Sequence, residues 1–391
     1  MVADNTPAEE VEGVDPLLEL AETRFLATVT EDAGSKQAHI DALLKDIEEN
    51  DRAALYEQVA AALGLILDEA KLQSMREKNV AELKTLDEKI KDAEENLGET
   101  EVREAYLAKA EYYKRLGDKQ KALEQFEATE KKTVAVGQKM DLVFSTLRLG
   151  LFYLDFDLLS KHMQKQKDLF NEGGDWERKN RLKVYEAVTL MATRKFKEAA
   201  ELFLDSISTF TTNELMSYNT FIFYTVLTAL TSLDRPVLKA KVVDAPEVLA
   251  VIKEIPKLSE LLYSFYNCDY GEFFRAFAEV SDAVKMDRYL HLHYRYFMRE
   301  ARIVAYTQFL ESYKSVTLQS MAQAFGISDD LLDKELSRFI AVGRLNCKID
   351  KVAGVVETNR PDAKNALYQN TIKEGDMLLN RIQKLSRVIV L

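Results

Sequence analysis

The side chains best suited to chemistry in this sequence belong to a closely spaced histidine pair, His291 and His293. Histidines at this spacing can begin a zinc site if further ligands follow. A metalloprotease of the His-x-His type would need Ser and Asp downstream, but those positions hold Ala301 and Val304, which cannot bind metal. On a helix, residues two apart also point about 200° away from each other. The sequence therefore predicts aromatic-rich helix surface here, and no metal site.

The two cysteines, Cys268 and Cys347, offer the other candidate chemistry. A catalytic thiol needs a nearby base and a positive local field, and the histidine nearest to Cys347, His293, is 54 residues away. We interpret Cys347 as a half-buried strand residue, and both cysteines as reduced thiols of a protein of the cytoplasm and nucleus. The sequence also lacks glycine-rich phosphate loops, G-x-S-x-G and H-E-x-x-H, so it predicts neither an enzyme nor a cofactor.

The composition predicts a mainly α-helical protein. The 391 residues include only 14 Gly and 6 Pro, and few breakers among many Ala, Leu, Glu and Lys favour helices. The net charge of −12 is concentrated in residues 1–100, which hold 25 acidic and 10 basic residues. This part should repel nucleic acid and anionic membranes. The longest apolar run, Phe221–Leu230, is also too short to cross a bilayer, which takes about 20 residues.

The N-terminal part divides into a tail and a set of helices. Residues 1–15 are acidic, and we expect a disordered tail; residues 16–100 predict N-terminal helices, among them Leu17–Leu26 and Ala38–Leu63. Residues 67–97 form a long charged segment with a narrow apolar seam. The seam consists of Leu83, Leu86, Ile90, Ala93 and Leu97, and Asn79 interrupts it upstream. Fewer than four clean heptads favour a helix packed along a neighbouring array, with a dimeric coiled coil as the alternative.

Residues 101–298 carry a repeating pattern of paired helices. In each unit two apolar faces flank a short turn, and alternating small and large side chains let the paired helices interlock. The turns recur roughly every 38 residues, at Gly117-Asp118, Asp155-Phe156, Lys195-Phe196, Asp234 and Asp269-Tyr270. This period predicts a tetratricopeptide-like, right-handed α-solenoid. We interpret Trp176, which follows a loop between two of these units, as a packing anchor.

Residues 299–360 have the element order of a winged helix: helix, strand, helix, turn, helix, strand, strand. Gly326 is well placed to end the helix before the turn, and Ser328 to cap the helix after it. In a DNA-binding protein this last helix enters the major groove, but here its four acidic side chains outnumber Lys334 and Arg338. Phosphate contacts dominate nucleic-acid affinity, so the sequence argues against nucleic acid. A winged-helix nucleic-acid-binding protein remains an alternative.

Two surfaces of the C-terminal part are candidate protein interfaces. Leu345, Cys347 and Ile349 alternate with polar residues, and Val355 and Val356 follow. A small sheet with a free edge can pair with a sheet of another protein. Residues 361–391 predict a terminal helix with an apolar stripe, for which we expect a bundle with partner helices rather than packing on the array. The stripe includes Leu378, Ile382 and Leu385.

Three segments resemble the PCI-domain family, named after the proteasome lid, the signalosome and a translation initiation factor. They read LAKAEYYKRLGDKQKALEQFEATEKKTVAVGQKMDL, HLHYRYFMREARIVAYTQFLESYKSVTLQSMAQAFGIS and ELSRFIAVGRLNCKIDKVAGVVETNRPD. The resemblance runs from about Asp15 to Leu391 and is closest to a non-ATPase subunit of the proteasome lid. A homologous signalosome subunit is the alternative.

The resemblance implies a non-catalytic scaffold that supports lid assembly and the ATP-dependent degradation of ubiquitinated proteins. Its partners would be other PCI subunits of the lid, and the repeat arm can also contact the ATPase ring or the core particle. In such subunits the winged helices pair edge to edge and the terminal helices gather into a bundle. Carried onto this sequence, edge pairing falls on Leu345–Ile349 and Val355–Glu357, and bundling falls on Leu378, Ile382 and Leu385.

Overall fold

The protein folds into two compact units, seen here in a computed structural model. The first unit holds the residues up to Leu262 together with Ala278–Phe297, and the second holds Tyr263–Phe277 and the residues from Met298 onwards. The last of the predicted turns, at Asp269-Tyr270, lies in the second unit. The structure describes residues 13–96, 98–173, 175–359 and 363–389.

Helices dominate the described residues. In chain order they are α1 Pro16–Val29, α2 Ala33–Glu49, α3 Ala53–Leu63, α4 Glu69–Asn96, α5 Glu99–Leu116, α6 Lys119–Lys131, α7 Val136–Tyr153, α8 Phe156–Gly173, α9 Trp176–Ala192, α10 Phe196–Ser206, α11 Tyr218–Ser232, α12 Arg235–Leu238, α13 Pro246–Val251, α14 Leu258–Asn267, α15 Tyr270–Lys285, α16 Tyr294–Glu311, α17 Leu318–Phe325, α18 Asp329–Ala341 and α19 Ala363–Ile389. Three strands complete the fold: β1 Ser315–Thr317, β2 Cys347–Asp350 and β3 Val355–Thr358. Within the described residues, no helix combines the length and apolarity needed to cross a membrane.

The helical hairpins of the first unit confirm the predicted solenoid. Helices α5 and α6, α7 and α8, and α9 and α10 pack as successive pairs, and α6 contacts α7 while α8 contacts α9. Gly117 ends α5 in a left-handed conformation with φ of 77°, which glycine adopts at little cost. Asp118 then caps α6 by accepting the Lys121 N–H. Short-range turn chemistry therefore places this hairpin.

Long-range packing changes three expectations for the N-terminal half. The helix predicted over Ala38–Leu63 is broken into α2 and α3 at Asp51, whose φ is 48°, a conformation that Asp tolerates better than most residues. Trp176 is 64% exposed, so it is no packing anchor. It lies nine residues before the fully buried Tyr185, a spacing that places the two side chains about 180° apart around the helix axis. Residues 1–12 of the predicted tail lie outside the described residues, but Asp15 is buried and caps α1.

The apolar seam of α4 packs against neighbouring helices of the same chain. The sequence favoured this arrangement over a dimeric coiled coil. Helix α4 contacts α3 and α5, and Ile90 and Ala93 are buried there. Asn79, which interrupts the seam in sequence, is also buried: its Oδ1 accepts the Tyr112 hydroxyl at 2.9 Å and its Nδ2 donates to the Asp51 carbonyl at 2.9 Å. A buried amide is tolerated where both of its ends are hydrogen-bonded.

The second unit contains the winged helix. Its antiparallel sheet has the order β1-β3-β2, with β3 in the centre. Gly326 ends α17 with φ of 67°, as predicted. Phe325 of α17 packs among aromatic rings of α15 and α16, its ring centroid lying 4.8 Å from that of Tyr270, 5.0 Å from that of Tyr306 and 5.2 Å from that of Phe309. This aromatic cluster joins three helices of the second unit.

Candidate protein–protein interface

The histidine pair serves the fold. His291 Nδ1 lies 2.6 Å from the Lys285 carbonyl, and His293 Nε2 lies 2.7 Å from the Ala192 carbonyl. Because Arg194 Nε donates to His293 Nδ1 at 3.0 Å, the His293 proton belongs on Nε2. Both rings are thus engaged by the protein itself. The described residues contain no group of three or more His, Cys, Asp or Glu side chains that could hold a metal ion.

The two thiols lack the surroundings of a nucleophile. Cys347 is only 4% exposed, and burial raises the pKa of its thiol, which disfavours the thiolate needed for attack. Cys268 Sγ accepts a hydrogen bond from Gln308 Nε2 at 3.3 Å. Neither cysteine forms a disulfide. Cys347 is therefore a strand residue, as interpreted, but it is fully buried rather than half-buried.

Only one of the two segments proposed for edge pairing lies at an edge of the sheet. Strand β3 pairs on one side with β1 and on the other with β2, so the prediction that Val355–Glu357 provides a free edge is wrong. Val356 is fully buried. Strand order could not be read from the sequence, because β1, although predicted as a strand, lies about 40 residues upstream of β3, and the pairing of distant strands leaves no local pattern.

The outer side of β2 is a free backbone edge. The Asn359 N–H donates to the Asn346 carbonyl at 2.9 Å, so Asn346 directs its polar groups towards β3. Because this direction alternates along a strand, Cys347 and Ile349 point their N–H and C=O groups away from β3. Within the described part of the chain no strand covers that side.

The side chains predicted for this interface face inward. Leu345 and Cys347 are each 4% exposed, and Ile349 is partly buried. The sequence pattern therefore identified the buried face of β2, and it is the backbone of these residues that is available for pairing. No sequence signal could have distinguished the two, because an apolar alternation marks only the face that is buried.

Two ion pairs hold β2 at its ends. Before the strand, Arg344 pairs with Glu300 of α16, whose carboxylate is buried. After it, Lys351 Nζ lies 3.0 Å from Asp333 Oδ2 of α18. The Asp350 side chain accepts the N–H groups of Val352 and Ala353 and so shapes the wing turn. The edge is therefore presented by a fixed strand.

Two carboxylates of α18 are engaged within the second unit. Glu335 pairs with Arg302 at 3.2 Å and accepts the Tyr306 hydroxyl at 2.8 Å, and burial raises the pKa of that hydroxyl. Asp333 pairs with Lys351. This cation of the wing is therefore already engaged and is not available to contact phosphate. The helix keeps two exposed cations, Lys334 and Arg338, but its four carboxylates give it a net charge of −2, which disfavours contact with phosphate.

Helix α19 is the second candidate surface. Every described side chain of this 27-residue helix is exposed. Leu378, Ile382 and Leu385 are 59%, 56% and 59% exposed, and their spacing places them on one face. An exposed apolar stripe of this length is typical of a helix that packs against a partner. The apolar stripe predicted from the sequence is therefore exposed and available for contact with a partner.

Helical hairpins that lead into a winged helix with a free sheet edge define this chain as a PCI-domain protein. A family model described as PCI domain matches residues 277–360, one described as 26S proteasome subunit RPN7 matches 68–241, and one described as 26S proteasome regulatory subunit RPN7/PSMD6 C-terminal helix matches 368–389.

Whole-length relatives narrow the class to one family. The 26S proteasome non-ATPase regulatory subunit 6 of Oryza sativa subsp. japonica is 66% identical over 347 residues, 89% of each chain. Its homolog in Arabidopsis thaliana is 63% identical over 96% of this chain and 97% of its own, and the 26S proteasome regulatory subunit RPN7 of Saccharomyces cerevisiae is 36% identical over 98% and 97%. The chain belongs to the family of 26S proteasome non-ATPase regulatory subunit 6. The resemblance inferred from the sequence is thereby confirmed.

Proposed function

We propose that this chain is a non-catalytic scaffold subunit of the lid of the 26S proteasome regulatory particle. It would act in the cytoplasm and nucleus, joined to other PCI subunits, and would support ATP-dependent degradation of ubiquitinated proteins by holding the particle together. The names of its relatives support this assignment.

The observation that carries the proposal is the exposed stripe of α19. Fully burying a Leu or Ile side chain is worth about 1.5–3 kcal/mol, so the stripe residues Leu378, Ile382 and Leu385 represent a large unused driving force for association. Their neighbours on the opposite face, such as Asn380 and Gln383, are polar. The helix is thus amphipathic along its length, and a bundle of terminal helices from other lid subunits would bury the apolar side.

The outer edge of β2 supplies a second, directional contact. Main-chain pairing with a strand of a neighbouring PCI subunit would satisfy the outward N–H and C=O groups of Cys347 and Ile349. Each such bond adds only about 0.5–1.5 kcal/mol, so edge pairing sets orientation while the bundle supplies most of the binding free energy.

The test is incorporation of tagged variants into the lid, measured by affinity purification and mass spectrometry. Ile382→Asp with Leu385→Asp places two charges in the stripe and should abolish recovery of lid and ATPase subunits. The matched control, Asn380→Asp with Gln383→Asp, adds the same charge to the opposite face and should be incorporated normally. Circular dichroism of each purified variant checks that the fold is kept.

Each outcome has a defined meaning. Normal incorporation of the stripe variant, or equal loss in both variants, would overturn the bundle assignment. A chain ending at Asn365, which lacks most of α19, should also fail to recover lid subunits. If the full-length chain recovered signalosome subunits or nucleic acid instead of proteasome subunits, the scaffold assignment itself would be wrong.

A further inference from the structure

A cavity of about 520 Å³ lies in the first unit. Its wall is formed by α1, by the start of α11 and the segment before it, by residues 254–256, and by the end of α15 with the residues that follow. The volume falls within the range of sites that enclose a small organic ligand or a few residues of peptide. The scaffold role proposed above uses neither the cavity nor the helices around it.

Part of the cavity wall is apolar. Leu18 and Met216 are buried, Phe223 and Ile255 are partly buried, and Met286 is 37% exposed. Methionine is unbranched and adapts its shape to different apolar partners. This part of the wall would therefore receive an aliphatic side chain without requiring one particular shape.

The polar part of the wall is acidic. Glu19 and Glu22 lie one turn apart on α1, and Glu254 and Asp287 join them from other segments. The three glutamates are exposed and form no ion pair with a described residue. Glu254 accepts a hydrogen bond from Asn219 Nδ2 at 3.3 Å, so Glu19 and Glu22 are the carboxylates available to a charged ligand.

The one cation among the described lining residues forms no ion pair with these carboxylates, although Glu22 interacts with it electrostatically. Arg288 directs its guanidinium to the backbone, donating to the Leu151 carbonyl at 2.7 Å and to the Phe152 carbonyl at 2.6 Å. Four carboxylates against one guanidinium leave the wall with a formal charge of −3. A field of this sign excludes phosphorylated and nucleic-acid ligands and attracts cations.

We propose that this cavity binds a basic peptide segment of a partner protein. A Lys or Arg of the segment meets Glu19 and Glu22, and a neighbouring aliphatic side chain packs against the apolar wall. The two halves of the wall account for the two parts of the ligand. An inorganic cation would leave the apolar half empty, and a purely apolar ligand would bury the carboxylates without a partner, which is costly.

The experiment uses the full-length chain and labelled hexapeptides, with binding followed by fluorescence anisotropy at low salt. The probe is Gly-Leu-Lys-Leu-Arg-Gly. One comparison peptide replaces both basic residues by Glu, and another replaces both leucines by Gly. We expect saturable binding of the probe, no binding of the acidic peptide, and about tenfold weaker binding of the peptide without leucines, the effect of losing about 1.4 kcal/mol.

Two variants test whether the probe peptide binds in this cavity. Glu19→Gln with Glu22→Gln removes the exposed carboxylates of α1, and Ala283→Phe narrows the cavity from an exposed position on α15. Each should weaken probe binding about tenfold. The control, Glu88→Gln with Glu95→Gln, makes the same charge change on the exposed face of α4, outside the cavity, and should bind like the unmodified chain.

Three results would overturn the proposal. The first is no binding of the probe at low salt, and the second is equal weakening by the control variant, which would indicate a general charge effect. The third is equal affinity for the peptide without leucines, which would indicate a simple amine site. None of these results depends on lid incorporation, so a failure here is distinguishable from a failure of the scaffold proposal.

Discussion

Asp15 Oδ2 lies 2.7 Å from the Lys114 ammonium, although 99 residues separate the two in sequence. Arg148 Nε approaches the same oxygen at 3.0 Å, and the Leu17 N–H donates to the other oxygen. Burial disfavours the charge of Asp15, but Lys114 and Arg148 outweigh it, so the pKa of this carboxyl lies below its usual value. The start of α1 is thus tied to α5 and α7.

Asp15→Asn should destabilise the protein, because it leaves Lys114 buried without its counter-charge. Breaking a buried pair in this way costs about 3 kcal/mol, which corresponds to a fall of about 6 °C in melting temperature for a unit of this size. Differential scanning calorimetry at pH 7.5 measures it. The pKa of Asp15 is lowered by folding, so this stabilisation is present above the ordinary pKa of Asp and is lost as the pH falls through its folded value.

The control for this prediction is Lys114→Met in the Asp15→Asn background. Removing the orphaned ammonium should recover part of the lost melting temperature, since a buried pair can be replaced by apolar groups at little cost. Unchanged melting of Asp15→Asn, or a further fall in the double variant, would contradict the assignment of this pair as an anchor of α1.

Asp287 should give the stability of the folded chain a pH dependence opposite to that from Asp15. Its carboxylate accepts the Tyr224 hydroxyl and the N–H groups of Tyr289 and Leu290, but burial dominates and raises the pKa of Asp287 from 3.8 to about 6. As the pH rises, Asp287 loses its proton in the unfolded chain at a lower pH than in the folded chain. Stability contributed by the protonated form is therefore complete below pH 3.8 and is lost as the pH rises through about 6.

Asp287→Asn should remove this dependence. Between pH 7 and pH 4.5 the free energy of unfolding of the unmodified chain should rise by about 2 kcal/mol relative to the variant. Paired melting curves of the two chains across this range provide the measurement, and groups that titrate in both chains cancel in the difference. A constant difference across the range would show that the Asp287 pKa is not raised.

Cys347 should resist alkylation in the folded protein. It is buried and the pKa of its thiol is raised, so little thiolate is present or accessible at neutral pH. Iodoacetamide followed by peptide mass spectrometry should modify the partly exposed Cys268 faster than Cys347. In urea both should react at similar rates, and faster labelling of Cys347 in the native chain would contradict the burial of its side chain.

Ile349→Pro should block incorporation into the lid if the outer edge of β2 pairs with a neighbouring subunit. The outward N–H of Ile349 is absent from the β2–β3 ladder, and proline is accepted in a strand where its missing N–H would face away from the sheet. The melting temperature should therefore stay within about 3 °C of the unmodified chain. The control, Ile349→Val, keeps the N–H and should incorporate normally. Normal incorporation of the proline variant would contradict edge pairing.

Several features were predictable because local chemistry decides them. The turn at Gly117-Asp118 combines a left-handed glycine with a capping aspartate, and Gly326 ends α17 in the same way. Helical periodicity identified the stripe of α19, and the same stripe is exposed in the structure. These signals depend on residues that are close in sequence, so they are largely independent of the rest of the chain.

What the sequence determined by itself was therefore the helices, their turns, the winged-helix order and the family. Tertiary structure alone decided that Asp15 is an anchor, that Trp176 faces solvent, that β3 occupies the centre of its sheet, and that Glu19 and Glu254 line one cavity. Each of these depends on which distant segments meet. A residue's type and near neighbours establish its local conformation, whereas burial, strand order and ion pairing are set by contacts whose partners lie tens of residues away.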